Sequence, residues 1–446
     1  MTRIRYALWG ILAVLSAAWL LANLPLPDTL SFIAVRNLLV QYSGVLAIGA
    51  MSVAMILATR AKWLEPWLNG LDKSYRLHKW LGITALVVSV THWIAAKGPK
   101  WLVQWGLMER PKRGGPPADA AEPGAIQAVF NSLRDTAEGL GEWAFYAVVA
   151  LILLALIKRF PYKYFVSTHR LIAVAYLVLV FHGAVLMHFD AWSQPVGIVT
   201  ALLMLGGVIS AALALSRQIG RRHKVPGRIE AVRSFPSMRI TEVEVKLDEG
   251  WAGHDAGQFA FVTFDRGEGK HPFTIASAWD PATRCITFIT KALGDYTRFL
   301  PEQLMVGGAA TVEGPYGRFT FDDSKDRQIW IGGGIGITPF IARMKQLAMS
   351  PGAKQIDLIH SVAEIAPEAL DLLKADAEAA GVTLHLMIDS RDGALTGDRL
   401  RQMVPDWTSA SVWFCGPAGF GQAMRRDLVS HGLSAGDFHQ ELFNMR

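Results

Sequence analysis

The sequence predicts a multidomain protein in which a six-helix transmembrane bundle is followed by an antiparallel β-barrel domain and an α/β domain with a parallel sheet. Six apolar stretches lie in the first half of the chain, and patterns typical of soluble strands and helices fill the second half. Charged residues make up only 18% of the 446 residues, whereas soluble domains contain about 25%. The predicted domain boundaries are 1–216, 225–325 and 326–446.

The charge distribution separates the two halves. Residues 1–224 contain 22 Lys and Arg against 10 Asp and Glu, a net charge of +12, and the remaining residues carry a net charge of −6. The acidic half argues against a nucleic-acid-binding protein, because such proteins present basic patches. The 2 cysteines, Cys285 and Cys415, are too few for a disulfide scaffold or a cysteine-ligated iron–sulfur cluster.

Most apolar stretches approach the ~20 residues that a helix needs to cross a bilayer. They lie at 6–24, 37–58, 78–96, 143–157, 169–189 and 196–215. Lys and Arg cluster before the first stretch and in alternate loops, which predicts that the N-terminus and the whole C-terminal half are cytoplasmic. The first stretch is expected to be a retained helix rather than a cleaved signal peptide. Residues 97–142 are expected to form a basic outer loop that is flexible at Pro111–Gly124.

Four histidines lie inside two of these stretches. His78 and His92 are 14 residues apart in the third stretch, and His169 and His182 are 13 apart in the fifth. Each spacing corresponds to about 20 Å along a helix axis, and both helices run in the same direction. His78 is therefore expected level with His169, and His92 level with His182. Paired imidazoles at two heights predict two stacked b-type haems, because neutral imidazole is a good iron ligand.

Two points qualify the haem interpretation. Thirteen residues place His169 and His182 about 140° apart around an ideal helix, so a local kink or an oblique approach of the haems is needed. The alternative is that the four histidines form hydrogen bonds between helices. Haem ligation is favoured, because ionisable groups at membrane depth are costly and usually functional. His188 is expected at the outer interface.

The second half begins after a basic linker at 217–227. Short alternating segments at Ile240–Leu247, Gln258–Phe264, Cys285–Thr290 and Ala309–Glu313 predict the antiparallel barrel. From Gln328 onward, buried strands alternate with helices, which predicts a parallel α/β layer.

A glycine-rich segment lies at the first strand–helix junction of that layer. It comprises Gly332, Gly333, Gly334, Gly336, Thr338 and Pro339. Glycines allow backbone amides to approach a pyrophosphate, and Thr338 and Pro339 suit the start of a helix. The alternative is a glycine-rich turn that binds no ligand, but the position between strand and helix favours a nucleotide loop.

Three further segments add to this pattern. They are His271–Ser277 (HPFTIAS), Lys291–Thr297 (KALGDYT) and Cys415–Pro417 (CGP). Together with the histidine spacing and the glycine-rich loop, they resemble the ferric reductase and NADPH oxidase family in a bacterial form. Members of that family join a six-helix dihaem membrane domain to a module similar to ferredoxin–NADP reductase. The resemblance covers about residues 37–446.

The resemblance implies roles for individual residues. The flavin signature His271, Pro272, Phe273 and Thr274, followed by Ser277, would line the isoalloxazine and the flavin phosphates. The FAD pyrophosphate or adenylate side would be held by Lys291, Gly294 and Thr297. The NAD(P)H pyrophosphate would lie on Gly332, Gly333, Gly334, Gly336, Thr338 and Pro339. Cys415, Gly416 and Pro417 would face the nicotinamide, and Phe443 would cover the flavin ring. For Phe443, a hydrophobic tail that docks on the core is the alternative.

The resemblance further implies an oxidoreductase of the bacterial inner membrane. Electrons would pass from cytoplasmic NAD(P)H through FAD and two haems b to an external acceptor, either O2 or a ferric chelate. NADPH is slightly favoured over NADH, with Ser390 and Arg391 as candidates for the 2′-phosphate site; a solvated turn is the alternative for that pair. An oligomer is compatible with the sequence.

Two other functions stay open at this point. The haem domain could be a relay that reduces a periplasmic protein or a quinone, since similar haem domains occur in relay subunits. A nucleotide-sensing transporter or channel is a third hypothesis, which the flavin signature disfavours.

Overall fold

The computed structural model of the protein describes residues 2–25, 31–109, 124–157, 159–265 and 267–441. Within these residues, six helices are long and apolar enough to cross a membrane, as predicted. Counting one short connecting helix, the series is α1 (Thr2–Ala22), α2 (Phe32–Ala58), α3 (Glu65–Leu68), α4 (Leu71–Gln104), α5 (Ala125–Leu156), α6 (Tyr162–Leu186) and α7 (Pro195–Leu215).

The predicted outer loop at 97–142 is largely helical, so that prediction was wrong. Helix α4 continues past Pro99 to Gln104, and α5 begins at Ala125. Charged residues lie on these helix extensions because they pair there: Lys97 binds Glu142 at 2.6 Å. The flexible stretch predicted at Pro111–Gly124 lies outside the described residues except for Gly124.

Small residues allow the membrane helices to pack closely. The phenol of Tyr176 on α6 is completely buried and lies against Gly207 of α7, where no side chain could fit. Ser52 of α2 donates to the carbonyl of Ile48 at 2.7 Å, so its oxygen accepts from Tyr176 Oη at 2.8 Å. Close approach and interhelical hydrogen bonds are the forces that hold helices together in lipid.

The chain divides into two compact units. One contains Ser74–Ile219 and the residues before Glu65, and the other contains the residues from Gly220 together with Glu65–Lys73. In the second unit, the Glu65 carboxylate accepts the Gly317 amide at 3.2 Å. Burial raises the pKa of Glu441 in this unit to about 8.

The first sheet of the second unit is antiparallel and has six strands. They are β1 (Lys224–Phe235), β2 (Ile240–Leu247), β3 (Phe259–Thr263), β4 (His271–Thr274), β5 (Cys285–Lys291) and β6 (Ala309–Tyr316), in the order β4-β3-β6-β1-β2-β5. A closed barrel is not confirmed. The edge strands β4 and β5 approach each other at a single bridge between Ile275 and Phe288. Helix α8 (Asp295–Gln303) follows β5.

Strand β1 begins inside the segment predicted as a basic linker at 217–227. It pairs with both β2 and β6. The alternation of buried and exposed residues that marks a strand starts at Val225. Because Arg217, Arg221 and Arg222 precede it, the segment has the basic composition of a linker.

The second sheet is parallel, as predicted. Its elements are β7 (Arg327–Gly333), α9 (Thr338–Met349), β8 (Gln355–Val362), α10 (Pro367–Ala379), β9 (Thr383–Ile388), α11 (Asp389–Asp392), α12 (Gly397–Met403), β10 (Ser411–Cys415), α13 (Ala418–Ser430) and β11 (Phe438–Gln440). The strand order is β11-β10-β7-β8-β9. Strand β11 was not predicted, since three residues are too few to show a period.

Asp323 connects the entry of β7 to β10 and to Lys354, the residue directly before β8. Its Oδ2 accepts from Gln328 at 2.8 Å, Ser411 at 2.6 Å and Trp413 at 3.0 Å, and its Oδ1 accepts from Lys354 at 2.7 Å. Burial opposes its ionisation, but the hydrogen bonds from Lys354 and Ser411 outweigh burial and lower the pKa of Asp323 to about 2.

We expect Asp323→Ala to destabilise the second unit by about 3 kcal/mol, because it leaves a lysine and three buried donors without their shared acceptor. The measurement is thermal unfolding of the full chain in detergent, followed by tryptophan fluorescence. Asp322→Ala is the control, since this neighbouring carboxylate is exposed. Equal melting temperatures for the two variants would contradict the assignment.

Candidate functional site: paired histidines and a nucleotide crevice

The structure brings the four membrane histidines together in the predicted pairs. The ring centroids of His78 and His169 are 5.8 Å apart, with planes at 66°. Those of His92 and His182 are 6.3 Å apart, with planes at 81°. Helix α6 is continuous between its two histidines, so the 13-residue spacing requires no break in the helix.

Backbone carbonyls set the ring orientation of three of these histidines. The acceptors of the Nδ1 protons are Ala54 O for His78 (2.9 Å), Val40 O for His92 (3.0 Å) and Ala137 O for His182 (2.8 Å). A carbonyl can only accept, so each Nδ1 carries the proton and each Nε2 presents its lone pair. This is the tautomer in which metal-binding histidines are held. The Nδ1 of His169 is buried with no hydrogen-bond partner among the described residues.

A glycine makes room for one of the rings. A Cβ added to Gly141 of α5 would collide with the imidazole of His182. Gly44 of α2 lies under His92 at looser contact, 3.4 Å from an added Cβ to Cε1. The ring positions near this end of the bundle therefore depend on glycine at 141.

The paired rings fit a metal ligated from two sides. Imidazole nitrogens bind metals at about 2 Å, so two opposed rings with a metal between them have centroids roughly 6 Å apart. Both measured separations are close to this value. Among the described residues, no three or more His, Cys, Asp or Glu side chains converge as a metal cluster would require. Two facing imidazoles fit the axial positions of a haem.

The second candidate site is the crevice between β7 and β10. The strand order reverses there, because the chain proceeds from β7 to β8 and β9 on one side and places β10 on the other. Gly332 at the end of β7 pairs with Cys415 at the end of β10. In open α/β sheets, ligands bind outside the carboxyl ends of the strands at such a reversal. The structure thus brings the glycine-rich loop and the Cys415–Pro417 segment together.

Each glycine of the loop has a distinct environment. An added Cβ would lie 3.0 Å from Pro417 Cδ at Gly333 and would collide with the Cys415 carbonyl at Gly336. Gly334 has a φ of +57°, and an added Cβ there would meet nothing within 4 Å. Gly334 is therefore the open position, where a pyrophosphate could approach the backbone.

The start of α9 differs slightly from the prediction. A single 3₁₀ turn, Gly334–Ile337, intervenes, and the α-helix begins at Thr338 with Pro339 second. The hydroxyl of Thr338 donates to Ile335 O at 2.8 Å rather than accepting a helix amide. The buried Thr338 side chain therefore stabilises the 3₁₀ turn through this hydrogen bond.

Two residues at the crevice, Cys415 and His360, are buried. The Cys415 side chain is fully buried, and burial raises the pKa of its thiol well above the usual range. His360, which the sequence analysis missed, lies at the end of β8 with its Nδ1 3.1 Å from Gly332 O. Burial lowers the pKa of His360, so the neutral ring can donate to the loop carbonyl. Phe443 lies outside the described residues.

Strand β4 carries the predicted flavin signature. His271 stacks on Tyr296 with centroids 4.0 Å apart, and burial lowers the pKa of His271 to about 4. Pro272 pairs with Phe261, and Phe273 packs against the core of the sheet. Among the described residues, the hydroxyls of Thr274 and Tyr296 are buried without a hydrogen-bond partner. Buried polar groups are rarely left unpaired, so these hydroxyls fit a polar ligand.

The other predicted flavin residues have internal roles as well. The Ser277 hydroxyl accepts the Thr287 amide at 3.0 Å. Thr297 Oγ1 accepts the amides of Leu293 and Gly294, both at 3.0 Å. Lys291 ends β5. The Thr297 contacts shape the turn that leads into α8, and an added Cβ at Gly294 would meet nothing within 4 Å.

The candidate 2′-phosphate residues lie on α11, directly after β9. Arg391 binds the neighbouring Asp392 at 2.8 Å, and both Ser390 and Arg391 are exposed. The arginine would therefore have to exchange this carboxylate for a phosphate.

A glycine pair on α5 tests the histidine site. We expect Gly141→Ala to displace the His182 ring and to lower, by up to half, the low-spin b-haem absorption that the two-haem hypothesis predicts for the purified protein. Gly139→Ala is the matched control, since an added Cβ there meets nothing within 4 Å. Unchanged haem content in Gly141→Ala would show that the His182 position is not required.

A second glycine pair tests the nucleotide crevice. Gly336→Ala should raise the KM for NAD(P)H at least about tenfold, equivalent to about 1.4 kcal/mol, because the new methyl group collides with the Cys415 carbonyl. Gly436→Ala, in a surface turn before β11, should leave KM unchanged. Flavin content is measured in both variants, and a loss of flavin with an unchanged KM would contradict the assignment.

The family model "Ferric reductase like transmembrane component" matches residues 43–180. A glycine betaine monooxygenase reductase subunit from Chromohalobacter salexigens is 26% identical over 205 residues, which cover 42% of this chain and 55% of that protein. Respiratory burst oxidase homolog protein E from Arabidopsis thaliana is 28% identical over 218 residues, 43% of this chain and 22% of that protein.

Among solved structures, a flavohemoglobin from Malassezia yamatoensis with bound FAD and heme has 17% identity and a TM-score of 0.47, with coverage of 92% of this chain and 98% of that one. The chain spans about half the length of the first curated relatives it matches. The matches confirm the resemblance on which the sequence analysis relied: a ferric reductase-like transmembrane component is joined in one chain to a reductase module, the combination found in the ferric reductase and NADPH oxidase family.

Proposed function

We propose that this protein transfers electrons across a bacterial inner membrane, from cytoplasmic NAD(P)H to an acceptor on the other side. The observation that carries the proposal is the pair of facing imidazoles at each of two levels between α4 and α6. The two levels are separated by about 20 Å of helix. Two redox groups at these levels would connect the two faces of the bilayer.

The residues of the second unit would bind and orient the electron donor. Gly334 would allow the pyrophosphate to reach the amides at the start of α9, and His360 would hold the loop through Gly332. Thr274 and Tyr296 would donate hydrogen bonds to a flavin that His271 contacts as a neutral ring. A bound flavin supplies the conversion of a two-electron hydride into single electrons.

The residues of the membrane unit would hold two haems b. His78 and His169 would hold the haem at one level, and His92 and His182 would hold the haem at the other. Haem held in this way supplies one-electron transfer. The carbonyl acceptors keep the Nε2 lone pairs directed between the helices, and the surrounding apolar helices exclude water.

The histidine pairs constrain how an acceptor could be reduced. Because two imidazoles would hold each haem, the chain offers O2 or a ferric chelate no direct binding position there, and the haems would supply outer-sphere electron transfer. The proposed products are superoxide from O2, or ferrous iron from a ferric chelate. The similarity to a respiratory burst oxidase supports the first of these. NADPH is the slightly favoured donor.

The proposal is tested with proteoliposomes that contain ferricyanide in the lumen and receive NAD(P)H outside. Wild type should show low-spin b-haem bands in a reduced-minus-oxidised spectrum and should reduce the trapped ferricyanide. His92→Ala and His182→Ala should lower this transmembrane rate at least about 100-fold, equivalent to about 2.7 kcal/mol. Reduction of a dye added to the NAD(P)H side should continue in both variants.

His431→Asn is the control, because this exposed histidine lies in the second unit and its ring contacts Asp427, Ser430 and Arg401. It should match wild type in every assay. Absence of b-haem bands in wild type, or full ferricyanide reduction by His182→Ala, would refute the proposed path. Oxygen consumption with a superoxide-dismutase-sensitive reporter, compared with ferric citrate reduction, then identifies the acceptor.

A further inference from the structure

A cavity of about 300 Å³ lies at the end of the bundle that holds His92 and His182. One wall is the first two turns of α5, and the other is the end of α6 with the 3₁₀ turn Phe189–Ser193 that follows. Its volume is at the lower limit for small-molecule sites. It could accommodate one ring system rather than a nucleotide.

The cavity begins one helical turn from a proposed haem ligand. Arg134 lines it and lies three residues before Ala137, whose carbonyl accepts the Nδ1 proton of His182. Val185 lines the other side and lies three residues after His182. A molecule in this cavity would therefore be adjacent to the last redox level of the proposed path.

The lining combines apolar walls with hydrogen-bond donors. Phe130 and Phe189 meet edge to face, with centroids 5.9 Å apart. Gln127, Asn131 and Arg134 are spaced by four and three residues, so they share one face of α5, and all three line the cavity. Their amide and guanidinium groups donate hydrogen bonds.

The charge of the lining is balanced. Arg134 binds Glu138 through Nε at 3.3 Å, which leaves its terminal nitrogens outside that pair. Asp190 also lines the cavity, and its negative charge balances the positive charge of Arg134. A site for a multiply charged ferric chelate would need an excess of positive charge. The walls and donors instead suit a flat, neutral molecule that bears carbonyl oxygens.

We propose that this cavity binds the headgroup of a membrane quinone and that the quinone is an electron acceptor of the protein. The two carbonyl oxygens would accept from the donors on α5 and from His188, which lines the opposite wall. Ile126 and Val129, both more than half exposed on α5, offer an apolar surface for the lipid tail. This inference rests on the proposed function, since it adds a quinone to O2 and the ferric chelate as an acceptor at the end of that path.

The reaction balances with one NAD(P)H per quinone. NAD(P)H gives two electrons and one proton on the cytoplasmic side and becomes NAD(P)+. The quinone takes the two electrons one at a time, and each carbonyl oxygen takes one proton from the water outside, which forms the quinol. His188 and Asp190, both exposed, would pass these protons from the solvent.

The test is direct binding of 2-methyl-1,4-naphthoquinone to the oxidised, haem-loaded protein in detergent, by equilibrium dialysis without NAD(P)H. Wild type should bind one equivalent saturably. Asn131→Leu and Arg134→Gln should each weaken binding at least about tenfold. The control variants Ser132→Ala and Asp135→Asn, whose residues are exposed on α5 outside the lining, should bind as wild type does.

The outcomes separate this inference from the proposed function, because binding to the oxidised protein needs no electron transfer. Non-saturable uptake by wild type, or equal affinity in all variants, would overturn the quinone site while b-haem spectra and ferricyanide reduction still report on the path. Displacement of the quinone by an equal concentration of ferric citrate would assign the cavity to an anionic chelate instead. Where wild type binds the quinone saturably, Arg134→Gln should also slow quinone reduction but not reduction of trapped ferricyanide.

Discussion

The membrane unit depends on hydrogen bonds between imidazoles and backbone carbonyls of neighbouring helices. A polar ring nitrogen is costly inside hydrocarbon unless it has a partner. Helix α2 provides the acceptors for both histidines of α4, and α5 provides the acceptor for His182 of α6. These bonds tie α4 to α2 and α6 to α5, and they leave the Nε2 atoms of the three rings without a backbone partner among the described residues. Stability and ligand geometry come from the same contacts.

Close packing is what makes those carbonyls reachable. A helical carbonyl already accepts from its own helix, so a second donor must approach it closely. Glycine at 141 allows His182 to lie against the α5 backbone, and glycine at 207 does the same for Tyr176 against α7. The absence of a side chain at these two glycines is therefore a requirement for the helix packing, and at Gly141 also for the position of the His182 ring.

In the second unit, too, glycines leave backbone groups accessible, but here they lie at the end of a parallel sheet and not between helices. Backbone groups at the reversal between β7 and β10 would face the nucleotide, and glycines there leave out the side chains that would block it. The antiparallel sheet contributes buried hydroxyls at Thr274 and Tyr296 that lack partners within the described residues. Both sites thus leave selected polar groups for a ligand, while networks such as that of Asp323 are satisfied internally.

The sequence by itself determined the number of membrane helices, the parallel strands from β7 to β10 and the two heights of the histidine pairs. These features follow from local periodicity and from the constant rise of a helix. Only the tertiary structure decided how far α4 and α5 extend, that β1 replaces a linker, and which carbonyls and glycines meet the imidazoles. Ala137 and His182 are 45 residues apart, and contacts over such distances depend on how helices pack, which no local pattern encodes.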